Sequence, residues 1–382
     1  MSNKYTVISA APRAIAAAAL LCLGAGTASA QSSVQVFGII DAGILTQSKS
    51  AGGGGSLTRL ETSGLRQSVW GLKGTEDLGG GLKAFFNLES HFDTDTGAIH
   101  GTGDTAGSGT ILFRRQANVG LSGDWGTVIL GRQYGPALLA HLATEPRYFK
   151  EQFSNLYAWA YNQLEVIAGT PGAPAVNRQN DVGIFMKNSI QYRNTFGPVT
   201  GGILYSLGEQ AGNSSHGSIL AIGLAYSGPV SLSFSHEYMK DQNTGNKNVE
   251  HTGIGAAVPF GEFTFKTNWL KAKNSGSDGT KVSEVDGIGV GMDYKWHPMN
   301  TATVAYYDNK DKLNKTNHTK NLVLSNDYAI SKRTTIYTAL AYVDADVGAT
   351  GAAALKTSIV ADGSFEAGAK TTFVNVGINH NF

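Results

Sequence analysis

Beyond residue 30 the chain has no cysteine, no apolar run of helix-spanning length and almost no net charge. Without cysteine no disulfide framework holds the fold together. A spanning helix needs about 20 apolar residues, so a helical membrane protein is excluded. Lysine and arginine number 30 against 29 aspartates and glutamates, and discounting Lys4 and Arg13 leaves 28 against 29. That balance argues against a nucleic-acid partner, which requires a basic face. Catalytic signatures are missing too. The nine histidines form no HExxH, and neither GxSxG nor GxxxxGK occurs, so no zinc enzyme, hydrolase or nucleotide site is indicated. Asp93-Thr94-Asp95-Thr96-Gly97 with Asp104 lacks the later carboxylate of a calcium loop and reads as solvated loop acidity. No enzyme, cofactor or metal is expected.

What the chain does contain is glycine, tyrosine and alternation. Lys4 and Arg13, the apolar stretch Ala14 to Leu23 and the small residues Ala28-Ser29-Ala30 read as a signal peptide over residues 1–30, which removes Cys22 and leaves residues 31–382 as one domain. The 49 glycines and 15 tyrosines favour many strands and many turns. In residues 65–90 two strands flank the turn Asp77-Leu78-Gly79-Gly80-Gly81, and Leu82, Ala84, Phe86 and Leu88 alternate with Lys83, Phe85, Asn87 and Glu89.

The alternation recurs along the chain. Ser33 to Leu45, Arg114 to Leu121, Thr127 to Tyr134 and a steady series from Asn188 to Phe382 give sixteen expected strands in eight hairpins. Turns inside hairpins are short. Connections between hairpins, at 50–64, 91–111, 135–185, 209–218, 240–250, 272–285, 308–319 and 344–370, are long and polar. That asymmetry, with an even strand number, is the signature of an outer-membrane barrel. A closed barrel leaves no strand edge unpaired in lipid. Aromatics near strand ends, among them Trp125, Tyr226, Phe260, Tyr294, Trp296 and Tyr328, suit interfacial girdles. Gly135 to Val182 breaks the pattern. It is proline-bearing, and Tyr148, Phe149, Phe153, Tyr157, Trp159 and Tyr161 make it too aromatic for a solvated linker, so it is expected to pack inside something.

The runs GLKGTEDLGGGLKAFFNLE (71–89), RRQANVGLSGDWGTVILGRQYG (114–135), NSIQYRN (188–194) and GINHNF (377–382) resemble, in order and spacing, the general-diffusion porins of Gram-negative bacteria. The similarity is to the beta-proteobacterial type of Burkholderia and Bordetella. It implies an all-β fold, a sixteen-stranded antiparallel transmembrane β-barrel with an inward-folded third external loop, which falls on Gly135 to Val182. It also implies a homotrimer in the cell outer membrane, in contact with its lipid and lipopolysaccharide, whose water-filled pores pass ions and small hydrophilic solutes. Phe382 resembles the C-terminal signal read by the outer-membrane assembly machinery.

The resemblance also implies a constriction of opposed charges. Its basic wall falls on Arg115, Arg132, Lys73 and Lys187, with Arg193 lower in the pore and Asn87 and Glu89 on the same inward side. The loop acids fall on Glu145, then Glu151 and Glu165. Arg115 shares parity with the apolar Ala117, Val119 and Leu121, yet an arginine in lipid costs roughly 2–4 kcal/mol, so it is placed inward. Two departures stand out. Relatives carry an arginine where this chain has Val69, and a Pro-Glu-Phe-Gly stretch where it has Glu145-Pro146-Arg147-Tyr148-Phe149. Pore size and ion preference therefore cannot be carried over. The alternative to general diffusion is a substrate-specific outer-membrane channel, suggested by the aromatic third loop. An enzyme or adhesin on the same barrel would need a nucleophile and base, or a loop large enough to fold alone, and neither is visible.

Overall fold

The computed structural model describes residues 33–50, 53–99, 111–161, 177, 179–181, 183–346 and 368–382. Residues 1–30, Asp104 and Glu165 lie outside them. The first strands are β1 (Ser33–Gln47), β2 (Leu57–Thr62), β3 (Val69–Gly79), β4 (Leu82–His91), β5 (Gln116–Gly123) and β6 (Gly126–Tyr134). The next are β7 (Asn180–Asp181), β8 (Phe185–Phe196), β9 (Val199–Ser206), β10 (Ile219–Ser227), β11 (Ser231–Lys240) and β12 (Lys247–Phe260). The last are β13 (Phe263–Ser275), β14 (Lys281–His297), β15 (Asn300–Asp311), β16 (His318–Ala329), β17 (Thr334–Ala345) and β18 (Lys370–Asn381). One helical turn, α1 (Pro136–Ala140), and a π-type turn at Tyr157–Tyr161 follow β6.

Every neighbouring pair is antiparallel, and β1 pairs with β18 from Ile39 to Gln47, closing the ring. The eighteen strands make sixteen staves, because β2 and β3 are two pieces of one stave along β1 and β7 is a two-residue bridge on β8. Alternation builds the wall. On β11 Leu232 and Phe234 are exposed while Ser233 and Ser235 are buried. On β15 and β16 Tyr306, Leu322 and Leu324 are exposed while Tyr307, Asn309 and Asn321 are buried. An apolar outside with a polar, small-residue inside suits lipid around a wet lumen. Aromatics ring the short-turn end, where Phe263 stacks on Tyr294 at 4.7 Å and Phe260, Trp296 and Trp125 stand exposed. At the seam, Gly38 and Phe382 exchange backbone hydrogen bonds of 3.2 and 3.0 Å, and the Phe382 ring lies against the Gly38 Cα.

Five boundaries differ from the sequence expectation. The connections expected at 240–250, 272–285 and 308–319 shrink to 241–246, 276–280 and 312–317, because the strands continue beyond the apolar band. There both faces are wet and no apolar alternation marks the strand, which is held by cross-strand pairs such as Lys271 with Glu284. The expected loop at 50–64 contains β2. Finally, β5 starts at Gln116, so Arg115 stands before the strand and escapes its alternation.

Between β2 and β3 residues 63–68 leave the wall. Ser63 takes a left-handed φ of 61° to start this excursion. The buried Asp41 carboxylate then accepts the backbone N–H groups of Gly64, Leu65 and Arg66 at 2.9, 3.1 and 2.9 Å. Tyr337 and Asn379 donate to the same carboxylate at 2.7 and 3.0 Å, tying the excursion to β17 and β18.

Candidate pore constriction

The segment after β6 bonds to inner-face residues of strands far apart in the ring. His141, following α1, holds Ser233 and Ser235 of β11 at 2.7 and 2.8 Å through its two ring nitrogens. Asn155 donates to Asn268 of β13 at 3.0 Å, and Tyr307 of β15 donates to Glu145 at 2.7 Å. Lys150 pairs with Asp327 of β16 at 2.6 Å. Asn375 of β18 donates to Gln152 at 2.6 Å, and the Phe153 and Phe373 rings lie 5.1 Å apart. Trp159, Phe149, Leu138 and Leu156 form an apolar cluster with Phe185 and Leu270, which buries two of the aromatic side chains that made this segment unlike a linker, while Phe153 is buried in a second cluster and Tyr148 stays exposed. Burial lowers the Lys150 ammonium pKa and Asp327 works against it. Burial also lowers the His141 imidazole, to about 4.

The sequence-expected residues fall into two groups. On the first side, Arg115 bonds the Glu89 carboxylate and the Tyr134 hydroxyl, with its guanidinium 5.5 Å from the Phe185 ring centroid. Gln116 donates to the second Glu89 oxygen at 2.8 Å. Gly131, at φ 117°, sits at a register shift in the β6–β8 pairing, and the buried Arg132 that follows donates through Nε to the Arg114 carbonyl. Its guanidinium lies 6.0 Å from the Phe185 centroid, so one ring faces both arginines. Lys73 and Asn87 are opposed across β3 and β4 and line one recess with Gln35 and Asn118, nearer the short turns. The Lys73 Nζ lies 5.1 Å from the Phe37 ring. Arg193 is exposed lower still, below α1, beside Gln191 and Thr200. Lys187 is half-buried and donates its N–H to Gln179, while the adjacent Met186 packs with Leu204, Ile219 and Met239 on the inner face.

Two of the three loop acids, Glu145 and Glu151, lie among the described residues. Glu145 is fully buried; one oxygen accepts the N–H groups of Arg147 and Phe149, both at 2.7 Å, and the other accepts Tyr307. Glu151 is the loop carboxylate close to Arg115, with which it lines a cavity of about 230 Å³ that also includes Gln67 and Tyr148. Gln67 donates to Glu151 at 3.3 Å, and the Glu151 N–H donates to the Leu65 carbonyl at 3.3 Å.

Sequence reasoning missed the opposite wall. Lys266 of β13 pairs with Asp293 of β14 at 2.6 Å and lies 3.1 Å from the Tyr148 ring centroid. Here the wall supplies both signs in Lys266 and Asp293, and its Asp327 pairs with Lys150 of the loop, which for that pair is the reverse of the expected polarity. The signal was present in the strands, since an acid at an inner-face position of a barrel strand calls for a cation.

The family profile of Gram-negative porins matches residues 16–348. Outer membrane porin protein 32 of Delftia acidovorans is 30% identical over 375 residues, spanning 94% of this chain and 96% of that protein. An outer membrane porin of Bordetella pertussis is 42% identical over 134 residues, 32% of this chain and 33% of its own length. Among solved structures, the anion-selective porin from Comamonas acidovorans superposes with a TM-score of 0.75 at 28% identity, covering 92% of this chain and 100% of that one. OmpT of Vibrio cholerae, at 10% identity and a TM-score of 0.62 over 94% and 99% of the two chains, shares the fold alone. Joined to a closed ring with an apolar outside and a charged inner face, these matches mean that the chain belongs to the Gram-negative porin family and is an outer-membrane channel for passive diffusion of small solutes.

Proposed function

We propose that the segment from Gly135 onward is an inward-folded loop that narrows the lumen, and that the resulting channel favours small anions. The observation that carries this reading is the unequal state of the charges. Glu89, Asp293 and Asp327 are each neutralised by a cation, Arg115, Lys266 and Lys150, while Glu145 and Glu151 are hydrogen-bonded by the neutral Tyr307 and Gln67 and keep their charge. Lys73 and Arg193, in contrast, are exposed and make no ion pair among the described residues. With Arg132 and Arg147 added to Lys73 and Arg193, four basic groups stand against Glu145 and Glu151, so the net field seen by a solute is positive, and it acts over about 8–10 Å at ordinary ionic strength. In this reading Arg115, Arg132, Asn87 and Glu89 shape the basic wall, Glu151 and Glu145 shape the loop, and Lys187 supports the loop's return. Similarity to an anion-selective porin supports the same preference.

The assembly is a homotrimer embedded in outer-membrane lipid and lipopolysaccharide, inserted by the outer-membrane assembly machinery through Phe382. The test is planar-bilayer recording of purified trimers across a potassium chloride gradient. Conductance steps in triplets with a zero-current potential of anion-selective sign are expected; absence of conductance would sink the reading. A second reading, a substrate-specific channel, is favoured by the aromatic lining of the cavity beside Arg115, where Tyr134, Tyr148, Phe149 and Phe185 meet. Saturable block of the current by one solute would select it.

A further inference from the structure

We propose that Arg66, on the excursion between β2 and β3, is a selectivity-determining residue of this channel. The inference rests on the channel reading above and goes beyond it by placing a charge on a segment that is not part of the barrel wall. Residues 63–68 lie on the inner face. The Cα of Gly64 is so close to the Tyr337 hydroxyl of β17 and the Asn375 amide of β18 that a Cβ there would come within 2.2 and 2.5 Å of them. The excursion is fixed from both sides. Asp41 takes the N–H groups of Gly64, Leu65 and Arg66 from the wall side, and Glu151 of the loop bonds the Leu65 carbonyl and the Gln67 amide.

Within this anchored stretch Ser63, Gly64, Leu65, Gln67 and Ser68 are buried, and only the Arg66 side chain is exposed. Its backbone is held, yet its guanidinium makes no hydrogen bond or ion pair among the described residues. The nearby acids are already engaged: Asp41 by the excursion itself, Glu61 by Arg59 and Glu151 by Gln67. A guanidinium with a fixed root and a free, planar set of donors suits an oxyanion, a carboxylate or phosphate group on a passing solute. Lys73 follows on the same stave toward the short turns, so an anion leaving Arg66 meets a second unneutralised cation.

The experiment compares wild type, Arg66→Gln and Arg66→Lys as purified trimers, with the folded band on unheated gels as the check of assembly. Zero-current potentials are read across a potassium chloride gradient. For Arg66→Gln the chloride-over-potassium permeability ratio should fall roughly four- to sixteenfold before salt screening, because one unit charge over about 5–10 Å of water changes the chloride and potassium barriers by about two- to fourfold each, in opposite directions. Arg66→Lys should keep the wild-type ratio for chloride. A ratio unchanged in conducting, folded Arg66→Gln trimers overturns the proposal while leaving the channel reading intact. A wild type that does not conduct overturns the channel reading itself.

Discussion

At the scale of single residues, His141 is the group whose environment has the clearest pH consequence. It is buried between Ser233 and Ser235 and edge-on to Trp159 at 6.0 Å, and the His251 ring of the His251–Glu237 pair lies 5.0 Å from the same indole. Burial holds its pKa at about 4, below the ordinary 6.5. The detached state therefore binds a proton first as pH falls from 6.5, and the bound state loses on the order of 3 kcal/mol by pH 4, with no loss above 6.5. Brief current closures should become more frequent across that window. In His141→Gln the acid response should be flat; a Gln variant that follows the wild-type course would acquit the imidazole. The Lys150–Asp327 pair makes a prediction of sign. Asp327→Asn leaves Lys150 uncompensated and should raise the anion preference, and Lys150→Met should lower it, each by about twofold. Zero-current potentials that move the same way in both variants would rule out a charge effect. Residue roles were the least legible part of the sequence. The parity conflict at Arg115 had no resolution in the sequence, because it depends on where β5 begins. Glu145 looked like a pore acid by spacing, but a carboxylate can equally turn back on its own backbone, as it does here. Val69 marked a missing charge, and nothing in the local pattern indicated that residues 63–68 fold inward and carry Arg66 with them.

At the scale of elements, the staves were readable wherever one face meets lipid, since alternation is then enforced by the cost of the wrong parity. Beyond the apolar band that pressure ends, and the strand extensions of β12 to β15 were invisible for that reason. The broken second stave was also hidden, because its cause is a single aspartate in the preceding strand. Asp41→Ala should leave three backbone N–H groups and the Tyr337 hydroxyl without their acceptor. The expected loss is on the order of 3 kcal/mol, read as a lower temperature at which the folded band on gels converts to the unfolded one. Asp41→Asn keeps one carbonyl acceptor and should lose less. Equal stability of Asp41→Ala and wild type would mean that the excursion is held by its loop contacts alone.

At the scale of the whole molecule, the ring is closed by contact between its two ends. A Cβ at Gly38 would stand 2.3 Å from the Phe382 ring and 2.7 Å from the Val69 carbonyl, so Gly38→Ala should force the ring aside and cost about 1–3 kcal/mol. Combining it with Phe382→Leu should cost less than the sum of the two single changes, and strict additivity in gel melting would show that the contact is not what matters. The overall class was legible because it is a property of repetition: many staves, each with the same asymmetry of turn and loop. The seam itself carries a consequence for biogenesis. β1 is made well before β18, yet they must pair along Ile39 to Gln47 before the last two edges are hidden. No nascent portion of the chain can close, so a premature stop anywhere before β18 yields an open sheet rather than a smaller pore. Ring closure must wait for β18, and the contact that completes it joins strands far apart in sequence.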